Sequence, residues 1–203
     1  VVHDYILAHP EILPQAMERL QAKRISTTIE EHRREIEAPY AAGAWEGAKD
    51  ADVVLVEFFD YACGYCRAAL PDLAKLLKAD PRLKIVYREL PILSQQSGEA
   101  ARVSLLAAEQ GKYVAFHQTL YAAGPVTRAS VLSAAAKVGI DRAEAQAALT
   151  DKRYDSEIEK NLRLAQALGA TGTPTFIVGD RLLSGAVGYE ALRKAIEAAR
   201  AKK

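Results

Sequence analysis

The sequence predicts an α/β fold: a mixed central sheet with a helical insertion, preceded by an N-terminal helical arm. Three observations carry this. Val53-Val54-Leu55-Val56-Glu57-Phe58-Phe59 is an apolar run of strand length interrupted by one acid, and Lys84-Ile85-Val86-Tyr87-Arg88-Glu89-Leu90 reads as a second strand. Between them Leu70, Leu73, Leu76 and Leu77 recur at helical spacing, giving a strand–helix–strand unit and a parallel pair. Near the end, Thr175–Val178 and Arg181–Leu183 flank the turn Gly179-Asp180 and read as an antiparallel hairpin.

The elements follow in order. Residues 1–37 read as a helical arm. Ile6, Leu13, Met17 and Leu20 fall on one helix face. Pro10 and Pro14 mark a helix start or a break between two helices, because neither has a backbone donor. From Glu18 to Glu37 the chain is highly charged and reads as a solvated helix or a connector. Ser26-Thr27-Thr28 is its weakest helical point, since these hydroxyls compete for backbone bonds. An arm this polar is expected to meet copies of itself through its short apolar stripe rather than dock on its own domain. Residues 38–203 form the main domain. Tyr40 and Trp45 are expected to pack ahead of the first strand. The helix after it runs to Ala79 with Pro71 inside, which predicts a kink, and Pro91 ends the second strand. The insertion covers about 94–169 and is divided by Gly111, Gly124-Pro125, Gly139 and Gly169. Thr127 and Asp141 are expected N-caps. Ile158, Leu162, Ala165 and Leu168 are expected to face inward on its last helix. Tyr189–Lys203 is a terminal amphipathic helix with Leu192, Ile196 and Ala199 inward.

Composition narrows the chemistry. Half of the 203 residues are hydrophobic, enough to build a core without disulfide staples. The net charge is +1, from 27 basic and 26 acidic residues, which does not point to nucleic acid or an anionic membrane as partner. No apolar run reaches the length that spans a bilayer. The chain begins at Val1 rather than Met, as removal of a signal peptide would leave it.

The only two cysteines are Cys63 and Cys66, in the run Cys63-Gly64-Tyr65-Cys66. A disulfide closing so short a loop stabilises a fold by only roughly 2 kcal/mol, so chemistry is the better reason for the pair. The strand before it and the helix after it put Cys63 at a helix N-terminus, where free donors and the dipole stabilise a thiolate. The thiolate is the attacking species in disulfide exchange, and Cys66, one turn on, can resolve the adduct. A zinc site needs about four ligands, and His3, His9, His32 and His117 show no metal spacing. A c-type haem site needs His after the second cysteine, where Arg67 stands. Two soft thiolates could also hold Cu(I), as an alternative or an addition.

Glu57 is an acid in an otherwise apolar strand, six residues before Cys63. Buried there, it would have a raised pKa and could exchange a proton with Cys66; the other reading is a strand-edge acid facing water. Thr173-Pro174 opens the hairpin, where a cis peptide is accessible at low cost and would leave Thr173 backbone groups to pair with an extended substrate. An ordinary strand-initiating proline is the alternative. His117, between Phe116 and Leu120, reads as a structural histidine.

Val56-Glu57-Phe58-Phe59-Asp60-Tyr61-Ala62-Cys63-Gly64-Tyr65-Cys66, followed far downstream by Gly172-Thr173-Pro174-Thr175-Phe176, resembles the periplasmic DsbA-like thiol–disulfide oxidoreductases over residues 40–203. The resemblance implies a thioredoxin fold, Cys63 as nucleophile, Cys66 as resolving thiol, Glu57 as buried proton acceptor and a cis Pro174. Gly64, Tyr65 and Thr173 depart from strongly oxidising members, which carry Pro-His between the cysteines and Val before the proline, and are similar to disulfide isomerases. Tyr5-Ile6-Leu7-Ala8-His9-Pro10-Glu11-Ile12-Leu13 resembles the N-terminal segment of the suppressor-of-copper-sensitivity C proteins, in which such an arm assembles oligomers. This implies a homo-oligomer through residues 1–37, with a trimer favoured and a dimer the alternative. It also implies a periplasmic location, misfolded disulfide-bonded clients and a membrane-bound reductant. The expectation is a disulfide isomerase or reductase that binds its client through Thr173, Pro174, Gly64 and Tyr65 beside an apolar cleft. The alternatives are a dithiol oxidase and a Cu(I)-binding copper-tolerance protein.

Overall fold

The computed structural model describes residues 2–202. Two helices open the chain, α1 (Val2–Ala8) and α2 (Ile12–Glu37), with Pro10 in the break between them. The edge strand β1 (Trp45–Gly47) follows, then β2 (Val53–Phe59), α3 (Gly64–Ala79) and β3 (Leu83–Glu89). The insertion holds α4 (Gln95–Glu109), α5 (Tyr113–Ala122), α6 (Arg128–Lys137), α7 (Arg142–Ala148) and α8 (Asp155–Leu168). The hairpin β4 (Thr175–Val178) and β5 (Arg181–Ser184) leads to α9 (Tyr189–Arg200). The five strands lie in the order β1-β3-β2-β4-β5. Only β2 and β3 pair in parallel; β1 joins β3, β4 joins β2 and β5 joins β4 in antiparallel fashion. β1 is too short for its pattern to show in the sequence.

Strand alternation builds two cores. Leu55, Phe59, Ile85 and Tyr87 face α3, α9 and the insertion, meeting Leu73, Leu76, Phe116, Leu192 and Ile196. Val56, Phe58, Val86 and Ile177 point the other way, against Ile29 and Ile36 of α2 and Leu164 and Leu168 of α8. A period of two places successive side chains on opposite faces, and burial of both faces explains why β2 reads as a nearly unbroken apolar run.

The second core departs from the expected solvated connector. α2 runs without interruption through Ser26-Thr27-Thr28, where Thr27 and Thr28 turn their hydroxyls back to the Lys23 and Arg24 carbonyls, each at 3.0 Å. Its second half docks on the sheet, and buried Ile29 and Ile36 outweigh the weak local propensity. Arg88 locks this docking. Its buried guanidinium donates to Ile36 O at 2.9 Å, to Ala38 O at 2.7 Å and to Glu35 O, all at the C-terminus of α2. It also donates to Glu157 Oε1 at 3.1 Å and Asn161 Oδ1 at 2.7 Å on α8. A cation at the negative end of a helix is favourable, and no donor is left without a partner to offset the cost of burying the charge. The first half of α2, with α1, remains exposed and carries Tyr5, Leu7, Leu13, Met17 and Leu20 on its surface.

Thr127 and Asp141 cap α6 and α7 as expected. Leu162 differs: it is 38% exposed, and Asn161 takes the inward position instead, donating to Glu89 O at 3.0 Å. At about 100° per residue, Ile158, Asn161, Ala165 and Leu168 define a stripe that Leu162 misses. α9 ends at Arg200, which pairs with Asp52 at 2.7 Å and Asp80 at 2.8 Å.

Candidate active site

Strand β2 ends at Phe59, and four residues later Cys63 caps α3. Its extended backbone lets the sulfur turn back over the helix, where Sγ accepts the Cys66 N–H at 3.3 Å. The Cys63 thiol donates to Thr173 O at 3.2 Å. Residues 110 positions apart thus meet at one sulfur, because β4 lies beside β2 and the Thr173–Pro174 peptide, which is cis, immediately precedes β4. Cys66 lies beneath, and both cysteines are free thiols. Burial pushes the Cys66 thiol well above its ordinary range, and the Glu57 carboxylate adds to the rise.

Glu57 pairs with Tyr87 on one side and Phe176 on the other, so it stands in the central strand and not at an edge. It is 1% exposed, and its Oε2 has no hydrogen-bond partner. Burial, with Cys63 beside it, pushes the carboxyl up to about 8 from the ordinary 4.5. A carboxyl that changes charge near neutral pH suits proton transfer.

Gly64 and Tyr65 lie at the mouth. A Cβ on Gly64 would meet nothing within 4 Å, so no packing demands glycine there. Tyr65 is 72% exposed. The Thr173 hydroxyl is buried without a partner. Glu57, Cys63, Cys66, Thr173 and Pro174 therefore come together, with Gly64 and Tyr65 at the rim. An apolar cleft of about 550 Å³ does exist between α3 and α5, but neither cysteine lines it.

Several buried polar side chains near the site carry no local signal in the sequence as strong as that of the cysteines. Asp60 is buried; its Oδ1 accepts the Ala62 N–H at 2.7 Å, and its carbonyl accepts the Cys63 N–H at 2.9 Å. Glu89 is buried on the insertion side, accepting from Ser104 Oγ at 2.6 Å and Tyr113 OH at 3.1 Å. Tyr61 OH extends this network to Ser104 Oγ at 2.9 Å and His117 Nδ1 at 3.2 Å. Burial pushes His117 down to about 3, which keeps it neutral. The signal was present: Arg88 and Glu89 are charged residues in an apolar strand, as Glu57 is.

As to metal, no group of three or more His, Cys, Asp or Glu side chains that could hold an ion exists among the described residues. Cu(I), which takes soft sulfur ligands, would find two there, Cys63 and Cys66.

Residues 54–197 match the family model of the DSBA-like thioredoxin domain, and residues 1–24 match that of the copper resistance protein ScsC N-terminal domain. A linker-deleted form of ScsC from Proteus mirabilis is similar over 100% of this chain and 92% of that one, with 30% identity and a TM-score of 0.80. A thioredoxin-like oxidoreductase from Silicibacter pomeroyi shares 42% identity over 77% of this chain and 91% of that one, with a TM-score of 0.74. Among curated relatives, Na(+)/H(+) antiporter NhaA 3 of Salinispora tropica is 33% identical over 159 residues, covering 75% of this chain. The chain spans about a quarter of that antiporter's length, 24%.

Proposed function

The chain belongs to the DSBA-like thioredoxin-domain family, and on that premise we propose that it is a periplasmic thiol–disulfide oxidoreductase that isomerises or reduces disulfides in misfolded proteins. One observation carries the reading. Cys63 sits at a helix start against Thr173 O, with a buried Cys66 and a buried Glu57 behind it.

In the first step the Cys63 thiolate attacks a client disulfide. A Cys63–client S–S bond forms, the client S–S bond breaks, and the departing client sulfur leaves with the electron pair. That freed thiolate attacks a second client disulfide, forming a new S–S bond and freeing a different client thiolate, which then attacks the client sulfur bonded to Cys63, breaks the mixed disulfide and releases the Cys63 thiolate with no net redox change. Alternatively Cys66 gives its proton to the Glu57 carboxylate and attacks Cys63 Sγ. The client then leaves reduced by two electrons, and Cys63–Cys66 is left as a disulfide for a membrane-bound dithiol to reduce. A base is needed because burial holds the Cys66 proton, and Glu57 is the carboxyl beside it.

Gly64 and Tyr65 between the cysteines, and Thr173 before the proline, favour shuffling over oxidation. The arm favours it as well: an oligomer, with a trimer preferred, would surround one client with several centres. The exposed Tyr5, Leu7, Leu13, Met17 and Leu20 lie within the segment matching the ScsC N-terminal domain and supply the surface for assembly. The test is refolding of a scrambled multi-disulfide protein by the reduced chain. No rearrangement above that of a small-molecule thiol refutes the isomerase reading, and a strongly oxidising Cys63–Cys66 potential would point to a dithiol oxidase. Removal of residues 1–24 should lower the solution mass to that of one chain.

A further inference from the structure

Asp60 does more than shape the turn before Cys63. Its second carboxylate oxygen, Oδ2, accepts the N–H groups of Ile92 and Leu93, both at 2.9 Å. Leu90 N donates to Phe59 O at 2.8 Å, so the segment leaving β3 is stitched to the segment leaving β2 on both sides of Pro91. One buried carboxylate thereby holds the turn that enters α3 and the loop that flanks it.

That loop presents apolar side chains to solvent: Ile92 is 44% and Leu93 54% exposed. Outside the arm, the large exposed apolar side chains among the described residues are Tyr65, Ile92, Leu93 and Leu162. Three of these four belong to the two segments that meet at Asp60. Exposed apolar groups gathered at one place mark a contact surface.

We propose that Ile92 and Leu93 form a docking edge for an apolar side chain next to the client cysteine, with Asp60 as the positioning residue that fixes the edge relative to Cys63. The proposal rests on the exchange reading above. A client sulfur within bonding reach of Cys63 Sγ carries its own neighbours along, at about 3.3–3.6 Å per residue of extended chain. Residues one or two positions from the client cysteine must therefore cross what borders Cys63. On one side that is Thr173 O, a backbone acceptor. Beside Cys63 in the chain stands Ala62, which Asp60 ties to the loop of Ile92 and Leu93. The occupant is an extended client segment with Leu, Ile, Val or Phe beside its cysteine. Such residues are mostly buried in folded proteins, so the edge selects clients that are not folded.

The experiment uses the reduced full chain and three disulfides: a cysteine peptide with Leu flanks and one with Ser flanks, each as its glutathione mixed disulfide, and oxidised glutathione. The chain should reduce the Leu-flanked peptide about tenfold faster than the Ser-flanked one, a preference equal to about 1.4 kcal/mol. An I92S/L93S double variant, altered only at the surface, should lose that preference while its rate on oxidised glutathione stays within about twofold of the parent. Asp60→Ala should also lower the Leu-to-Ser ratio. A merely structural role for Asp60 would slow all three substrates together, leave the ratio unchanged and overturn its assignment. Persistence of the preference in I92S/L93S overturns the edge. A lower solution mass of I92S/L93S would assign the edge to contact between copies and overturn it as well. If the parent chain exchanges with none of the three disulfides, the exchange reading falls and this proposal with it; exchange without flank preference sinks the edge alone.

Discussion

Replacing Glu57 by Gln should abolish a specific pH dependence of stability. The carboxyl sits at about 8 in the folded chain, against an ordinary 4.5. Below pH 4.5 folded and unfolded chains both hold the proton, and ionisation costs nothing. Between 4.5 and 8 the unfolded chain releases it while the folded chain keeps it. Stability therefore falls as pH rises, by about 1.36 kcal/mol per unit, and the loss is complete above the folded value. Across the whole interval this amounts to about 5 kcal/mol; between pH 5 and 8 it is about 4 kcal/mol. The amide cannot ionise. It inherits the unmet hydrogen-bonding site at Oε2, a cost of about 1–3 kcal/mol that does not vary with pH. Glu57→Gln should thus be equal to or less stable than the parent at pH 5 and more stable at pH 8. Urea unfolding of both reduced proteins at pH 5, 6, 7 and 8 measures the difference. Other titrating groups are shared and cancel. Parallel stability curves, agreeing in slope to within about 1 kcal/mol over the interval, would refute the buried-acid account.

Three further outcomes follow from the same structure. Arg88→Met removes the donors to the Glu35, Ile36 and Ala38 carbonyls at the C-terminus of α2 and takes one partner each from Glu157 Oε1 and Asn161 Oδ1, so it should cost about 3–5 kcal/mol and speed amide exchange over residues 29–38; a loss under about 1 kcal/mol in urea unfolding would contradict the lock. His117, held neutral by burial, should show a ring proton shift that stays flat from pH 4.5 to 8 by NMR, and a titration midpoint inside that range would count against its buried placement. Cys66→Ala should accumulate a mixed disulfide between Cys63 and client on non-reducing gels, whereas Cys63→Ala should trap none; equal trapping by both would reverse the assigned roles.

Much of the site was legible because its signals are local. Cys63 and Cys66 announce themselves by spacing, and the apolar run before them places Cys63 at a helix start. Glu57 stood out as one charge in an apolar strand, and the same criterion applied to Arg88 and Glu89 would have exposed the lock on α2 and the Ser104–Tyr113 network. Asp60 was harder to see. It lies outside the strand, and an acid in a turn is ordinary until its partners are known.

The sequence by itself determined the strand–helix–strand unit, the hairpin, the caps at Thr127 and Asp141 and the order in which these occur. Each depends on periodicity or on contacts within a few residues, which composition and spacing encode directly. Only the tertiary structure decided that Cys63 meets Thr173, 110 positions away, that Asp60 reaches Ile92 across 32, and that Arg88 reaches Ile36 across 52. It also decided that the charged second half of α2 docks while the first half stays exposed. Ile29 and Ile36 look no different from Leu13 or Leu20 in the sequence. What separates them is whether a sheet face lies opposite, and that depends on how β2, β3 and β4 pair.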